Sequence, residues 1–167
     1  MESSSSEVHA GEPQLFLKTQ GISTFATLSP DERWIAYADA EAGRYEVYVR
    51  DFPGKRTKVQ VSTSGGTMPM WSRTSNDLFY RTQEEHRIMV ASYSIKDESF
   101  VRERPRTWSG KRLANVGLGM NLDLAPNGKR FAVLWPAEAQ EPRENRSHIT
   151  IVVNFPDEVR RRIAGGK

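Results

Sequence analysis

The clearest pattern along the chain is the alternation in Tyr45-Glu46-Val47-Tyr48-Val49-Arg50. Its period of two predicts a half-buried β-strand. Phe52-Pro53-Gly54 breaks that strand, residues 58–62 predict the next one, and Ser64-Gly65-Gly66 predicts a loop. With apolar runs at 24–28 and 34–38, these strands make a unit of four. The same succession returns twice more. The second unit offers 67–71, 77–81, 87–95 and a weaker run at 106–109, and the third offers 120–125, 129–135 and 148–155. The polar stretch 136–147 predicts a loop. Residues 157–163 predict a short C-terminal helix whose basic end suits the helix dipole, and Gly165-Gly166 stops it. An early strand at 14–18 is expected where the outer strand of a preceding unit would lie, behind a serine-rich lead-in over 1–13.

The units are copies of one motif. Leu28-Ser29-Pro30-Asp31-Glu32-Arg33-Trp34-Ile35-Ala36-Tyr37 aligns without gaps with Trp71-Ser72-Arg73-Thr74-Ser75-Asn76-Asp77-Leu78-Phe79-Tyr80. Both align with Leu124-Ala125-Pro126-Asn127-Gly128-Lys129-Arg130-Phe131-Ala132-Val133. Each copy is a large apolar residue, a small one, a polar turn, then a short apolar strand. In Ser-Pro-Asp the proline presets φ and the flanking side chains can bond nearby backbone groups. Asn127-Gly128 is a strong hairpin signal because both residues tolerate positive φ. Two strands should therefore meet at turns over 30–33, 73–76 and 126–129. Glu32 and Ser75 stand where the third copy has glycine, and a left-handed backbone there would cost each about 1 kcal/mol. The repeats start 43 and then 53 residues apart, counted from Ser29 to Ser72 and Ser72 to Ala125. The second unit thus carries a longer loop. Trp34, Ile35, Tyr37, Val47, Val49, Trp71, Leu78, Tyr80, Leu124, Phe131 and Val133 are the expected core.

Composition narrows the chemistry. The 167 residues are 37% hydrophobic and 27% charged, within the range of soluble globular domains. The absence of cysteine excludes disulfides, thiolate catalysis and cysteine zinc sites, and suits either side of a membrane. No run approaches the ~18 apolar residues of a membrane span, and residues 1–12 lack the basic start and apolar centre of a signal peptide. The net charge of +3 is small and mixed along the chain. The basic loop of Arg102, Arg104, Arg106, Lys111 and Arg112, and the basic end Arg160-Arg161-Arg162, have Trp108 as their one nearby aromatic. A solvated surface is expected there in preference to a nucleic-acid footprint.

No catalytic motif is present. His9, His86 and His148 are scattered, and Glu84-Glu85-His86 lacks the second histidine of a helical zinc site. No Gly-x-Ser-x-Gly elbow, glycine-rich phosphate loop, His-Arg-Asp or Asp-Phe-Gly occurs. Asn145-Arg146-Ser147 fits the glycosylation triplet, which arises often by chance. No metal or cofactor is expected. The candidate binding positions lie on the first, innermost strand of the units: Asp123 with Asn121 in the third, and Met68 with Met70 at the equivalent places in the second. Asp123 could contact a ligand or ion, or bond neighbouring backbone, and the methionines suit packing as well as recognition.

Three of these segments resemble the TolB-like, WD-repeat-like β-propeller family. The stretch 28–37 is similar to its Ser-Pro-Asp-Gly hairpin, Val61-Ser62-Thr63-Ser64-Gly65-Gly66 with Trp71-Ser72 to its inter-blade pattern, and 123–131 to its last repeat. Arg44-Tyr45-Glu46-Val47-Tyr48-Val49 and Ile151-Val152-Val153-Asn154-Phe155 resemble a narrower group, the C-terminal propeller of bacterial membrane-bound serine/threonine kinases. The resemblance implies an all-β partial propeller over 14–167. It would comprise a remnant at 14–18 and four-stranded antiparallel blades at 22–63, 66–110 and 119–156, arranged as an open arc. It implies a non-enzymatic binding or protein-interaction module of a larger sensor or signalling protein, on the periplasmic side. The alternative is a regulatory or substrate-gating propeller of a kinase or a prolyl-oligopeptidase-like hydrolase. The partners it implies are a protein or small molecule, further blades, or a second copy of the chain.

Overall fold

The computed structural model of the chain describes residues 11–135 except 42, 55 and 118. The chain divides into two compact units, Met1–Pro136 and Ala137–Lys167, and every described residue lies in the first. Among the described residues there are eleven strands and no helix. The first ten residues of the expected lead-in over 1–13, the loop 136–147, the strand 148–155 and the helix 157–163 lie outside the described residues, as do His9, His148, Asn145 and Arg160-Arg161-Arg162.

Strands β1 (Ser23–Leu28), β2 (Trp34–Asp39), β3 (Glu46–Asp51) and β4 (Lys58–Gln60) form an antiparallel sheet in sequence order. The second sheet runs β5 (Thr67–Trp71), β6 (Asp77–Arg81), β7 (Ile88–Lys96) and β8 (Ser99–Arg102), with β9 (Arg106–Ser109) also paired to β7. Strands β10 (Leu122–Leu124) and β11 (Phe131–Val133) form the third.

All three hairpins share one register: Leu28 faces Ile35, Trp71 faces Leu78, and Leu124 faces Phe131. Inside each, the small residue donates its N–H across the turn, Ser29 to Trp34, Ser72 to Asp77 and Ala125 to Arg130, at 2.8–2.9 Å. The hydroxyls explain the serines. Ser29 Oγ accepts the Trp34 N–H at 3.0 Å and donates to Asp31. Ser72 Oγ accepts the N–H groups of Thr74 and Ser75 at 3.3 and 3.2 Å. Glu32 and Gly128 are left-handed, with φ of 56° and 68°. Ser75 is not; its turn is held by Ser72 Oγ instead of by a left-handed residue.

The inner strands also share a β-bulge. One extra residue enters β1 between Thr24 and Thr27 and β5 between Thr67 and Met70. Phe25 and Met68, three places before the strand ends, take φ of 56° and 53° to accommodate it. Such bulges increase twist and re-aim the residues that follow.

The second sheet packs between the other two. Leu78 and Tyr80 of β6 and Ala91 of β7 join Trp34, Ala36, Val47, Val49 and Val61 of the first sheet in one core. The intervening residues Phe79, Ile88 and Val90 join Leu122, Leu124, Phe131 and Val133 in a second core. Period-two alternation makes both faces of one sheet apolar. The same alternation refines the expected core: Ile35 and Tyr37 lie on the opposite face of β2 from Trp34 and Ala36, outside both clusters, Tyr37 buried and Ile35 only partly covered. There Tyr37 stacks obliquely on Tyr48 and accepts a hydrogen bond from Arg50 Nε at 2.9 Å.

Two further expectations change. Residues 14–18 form no strand: no described sheet takes them into its ladder, and the Phe16 ring rests on Phe52 at 5.0 Å. The longer loop of the second unit is a hairpin. Asp97 and Glu98, both at positive φ, turn β7 back into β8, as a two-residue hairpin of that hand requires. Phe100 of β8 then enters the first core against Trp34, Trp71 and Tyr93 at 5.3, 6.0 and 4.9 Å.

Candidate functional site

The first two hairpin turns and the ends of all three inner strands surround a cleft of about 570 Å³. Each inner strand contributes its last two residues: Thr27 and Leu28, Met70 and Trp71, Asp123 and Leu124. Pro30 and Glu32 enter from the first turn and Arg73 from the second. The shared register puts these residues at one level, and side-chain bonds tie the strands and turns together. Trp71 Nε1 donates to the Thr27 carbonyl at 3.1 Å, and Thr74 Oγ1 donates to the Asn127 carbonyl at 3.1 Å. Gly128 is required where the third turn meets the second, since a Cβ there would sit 2.6 Å from Thr74 Oγ1 and 2.8 Å from Ser72 Oγ.

The cleft combines an apolar floor with charged walls. Glu32, Arg73 and Asp123 are all exposed. Among the described residues no side-chain hydrogen bond or ion pair engages any of the three. Two carboxylates and one guanidinium therefore stand uncommitted over Met70 and Trp71. The serine hydroxyls at the rim are taken up by the turns. Such a site can hold and orient a ligand that presents positive charge beside apolar surface.

Of the four positions singled out in the sequence, Asp123 and Met70 line this cleft, while Asn121 and Met68 do not. Met68 is the left-handed bulge residue and is 1% exposed within the second core. Asn121 is buried at the start of the third inner strand, toward the opposite end. Its Oδ1 accepts from Arg81 Nη1 at 3.2 Å and its Nδ2 donates to the Ala114 carbonyl at 2.7 Å. Arg81 Nη2 donates to the Gly117 carbonyl at 3.0 Å. Burial pushes the Arg81 guanidinium below its ordinary value.

His86 is half-buried, with Nδ1 shielded and unbonded. Burial first, then the charges of Arg81 and Arg112, hold its imidazole below the usual value. Among the described residues no group of three or more His, Asp or Glu side chains stands together as metal ligands would. In the basic loop, Arg102 donates to the Gln60 carbonyl at 2.9 Å and Lys111 lies over the Trp135 ring at 5.2 Å.

Sequence reasoning missed Thr27, Glu32, Arg73 and Arg81. Thr27 shares an alignment column with Met70 and Asp123, so the repeat carried a signal for it. Glu32 and Arg73 occupy turn positions where charge is ordinary, and only the meeting of the turns gives them a role.

A scan against protein-family models gives no match to the chain, and a search of curated proteins gives none either.

Proposed function

We propose that this chain is part of a TolB-like β-propeller and works as a non-enzymatic binding module, with the cleft between the hairpin turns as its recognition site. The repeat of one hairpin, in one register, at the head of three successive antiparallel sheets supports the propeller reading. Stacking of those sheets through alternate residues supports it too, since blades pack face to face around an axis lined by inner strands. The observation that carries the binding reading is the uncommitted Glu32, Arg73 and Asp123 above a floor of Met70 and Trp71. The ligand that fits is a partner segment with a basic side chain next to an apolar one. The basic group would meet the two carboxylates, and Arg73 would orient a backbone carbonyl.

Selection of a random peptide display library on the immobilised chain tests this. Enriched sequences should pair Lys or Arg with a neighbouring apolar residue. Asp123→Asn should weaken their binding about tenfold, as loss of one partner from a charged hydrogen bond does. Peptides that bind the wild type, Asp123→Asn and Arg73→Ala equally would place recognition elsewhere and sink the proposal.

A further inference from the structure

We infer that the groove between residues 14–17 and the outer face of the first sheet binds an apolar carboxylic acid, of the medium-chain fatty acid class, with its carboxylate on Arg50. The repeat explains why the groove exists. Ile35 and Tyr37 of β2 hold the places taken by Leu78 and Tyr80 in β6 and by Phe131 and Val133 in β11. In the second and third sheets those residues pack against a neighbouring sheet. In the first sheet the same places meet the irregular chain over 14–17, whose Phe16 ring is seated on Phe52. One pass of irregular chain covers less than a sheet does. It leaves a cavity of about 500 Å³, with residues 14–17 on one side and Phe25, Ala26, Ile35 and Tyr37 on the other. That volume is within the range of small-molecule sites. Leu15 and Ala26 are exposed, so the groove is open to solvent. Its walls on both sides suit a slender occupant and not another sheet.

The lining is largely apolar, so the body of the ligand is hydrocarbon, driven in by the loss of apolar surface to water. Arg50 selects the head. It stands directly across the ladder from Ile35, and cross-strand partners share a face. Its Nε donates to the Tyr37 hydroxyl at 2.9 Å, which fixes the guanidinium beside the groove. Arg50 is partly exposed, and among the described residues its two terminal nitrogens have no hydrogen bond or ion pair. The neighbouring charges are committed elsewhere. Lys58, across from Arg50 on β4, is paired with Glu41 and lies over the Tyr48 ring at 4.2 Å. Asp39, two places beyond Tyr37 on the same face, is buried and accepts from Ser23 and from the Glu41 N–H. The uncommitted charge beside the groove is therefore positive. A carboxylate can take both terminal N–H groups of a guanidinium at once, and a neutral head group forgoes that pairing. This groove lies on a different face from the cleft at the turns and does not depend on the ligand proposed there.

Decanoate, kept below its micelle threshold, is the probe, with decanol as its neutral counterpart. Titration of the isotope-labelled whole chain, followed by amide NMR, reads site and affinity together. Decanoate should shift the amides of Leu17, Phe25, Ala26 and Ile35. It should bind about tenfold more tightly than octanoate, as burial of two more CH₂ groups requires. Ala26 is exposed, so Ala26→Glu should fold, and a charge placed in the groove should weaken decanoate and decanol alike by about tenfold. Arg50→Gln should weaken decanoate about fivefold and leave decanol unchanged, because the carboxylate alone uses the guanidinium. No shift at these amides, or shifts that Ala26→Glu leaves in place, would overturn the site. Equal losses of decanoate and decanol in Arg50→Gln would overturn the assignment of the head group. If the same amides move with protein concentration alone and decanoate has no effect, the occupant is a second copy of the chain and the fatty-acid site is refuted.

Discussion

The second sheet presents two apolar faces, and they are closed to different degrees. Against the first sheet it buries Trp71 at 7% exposure, Leu78 at 0% and Tyr80 at 3%, with Phe100 of β8 filling the space beside Trp34. Behind this core, Glu46 is buried and bonded to Arg44, Ser62 and the Gly65 N–H, which pins the connection between the sheets. Against the third sheet the packing is thinner. Leu122 is buried, but Leu124, Phe131 and Val133 are only partly covered, and Trp108 in the same aromatic group is 39% exposed. A repeated hairpin motif thus does not guarantee equal packing. Among the described residues the supply of covering strands differs: four strands and an inserted hairpin on one side, two strands on the other.

The largest expected effect separates the two faces directly. Trp71→Ala should cost about 3–5 kcal/mol, since it empties a buried aromatic site. Phe131→Ala should cost about 1–2 kcal/mol, because part of that ring already meets water. Urea unfolding of both variants measures the difference, and equal losses would erase the distinction drawn between the cores.

Next comes the buried carboxylate behind the first core. Glu46→Ala leaves the Gly65 N–H and the Ser62 hydroxyl short of a partner and should cost about 1–3 kcal/mol. A thermal melt identical to wild type would mean the connection between sheets is held by apolar packing alone.

Gly128→Ala probes the contact between the second and third turns. The left-handed backbone and the close approach to Thr74 together should cost about 1–2 kcal/mol. In amide exchange the loss should appear in β10 and β11 while the first sheet stays protected. Uniform loss of protection would show that the thin interface is as cooperative as the thick one.

The smallest effect is acid sensitivity, expected on the first sheet. Burial pushes the Asp39 and Asp51 carboxyls up, but hydrogen bonds outweigh it and both end below the usual carboxylate value. For Asp39 the bonds come from Ser23, Thr19 and the Glu41 N–H, with Lys58 nearby; for Asp51 they come from Thr57 and Arg56. A lowered folded-state pKa contributes stability above the ordinary carboxylate range and loses it as pH falls through the lowered value. Asp51→Asn should therefore flatten the acid limb of the stability–pH curve. An unchanged limb would remove Asp51 from that balance.

Much of the architecture was legible in the sequence because hairpins are local. The turn residues, the alternation in 45–50 and the repeat spacing determined the strand order of the first sheet and all three turn positions. Asp123 and Met70 could be singled out as inner-strand positions for the same reason, being fixed places in a repeat, but that they line this cleft came only from the structure. The hairpin of β7 and β8 was not legible, because Asp97-Glu98 carries no glycine, and its left-handed backbone goes with the pairing of β7 to β8 and the burial of Phe100. The separation of Asn121 and Met68 from Asp123 and Met70 was not legible either. In the second sheet it depends on the bulge, and in the third on Arg81, 40 residues away in sequence. Local rules decide which residues turn and which extend. Only tertiary packing decides which faces close, which charges are left without partners, and where the ends of three inner strands come to share one cleft.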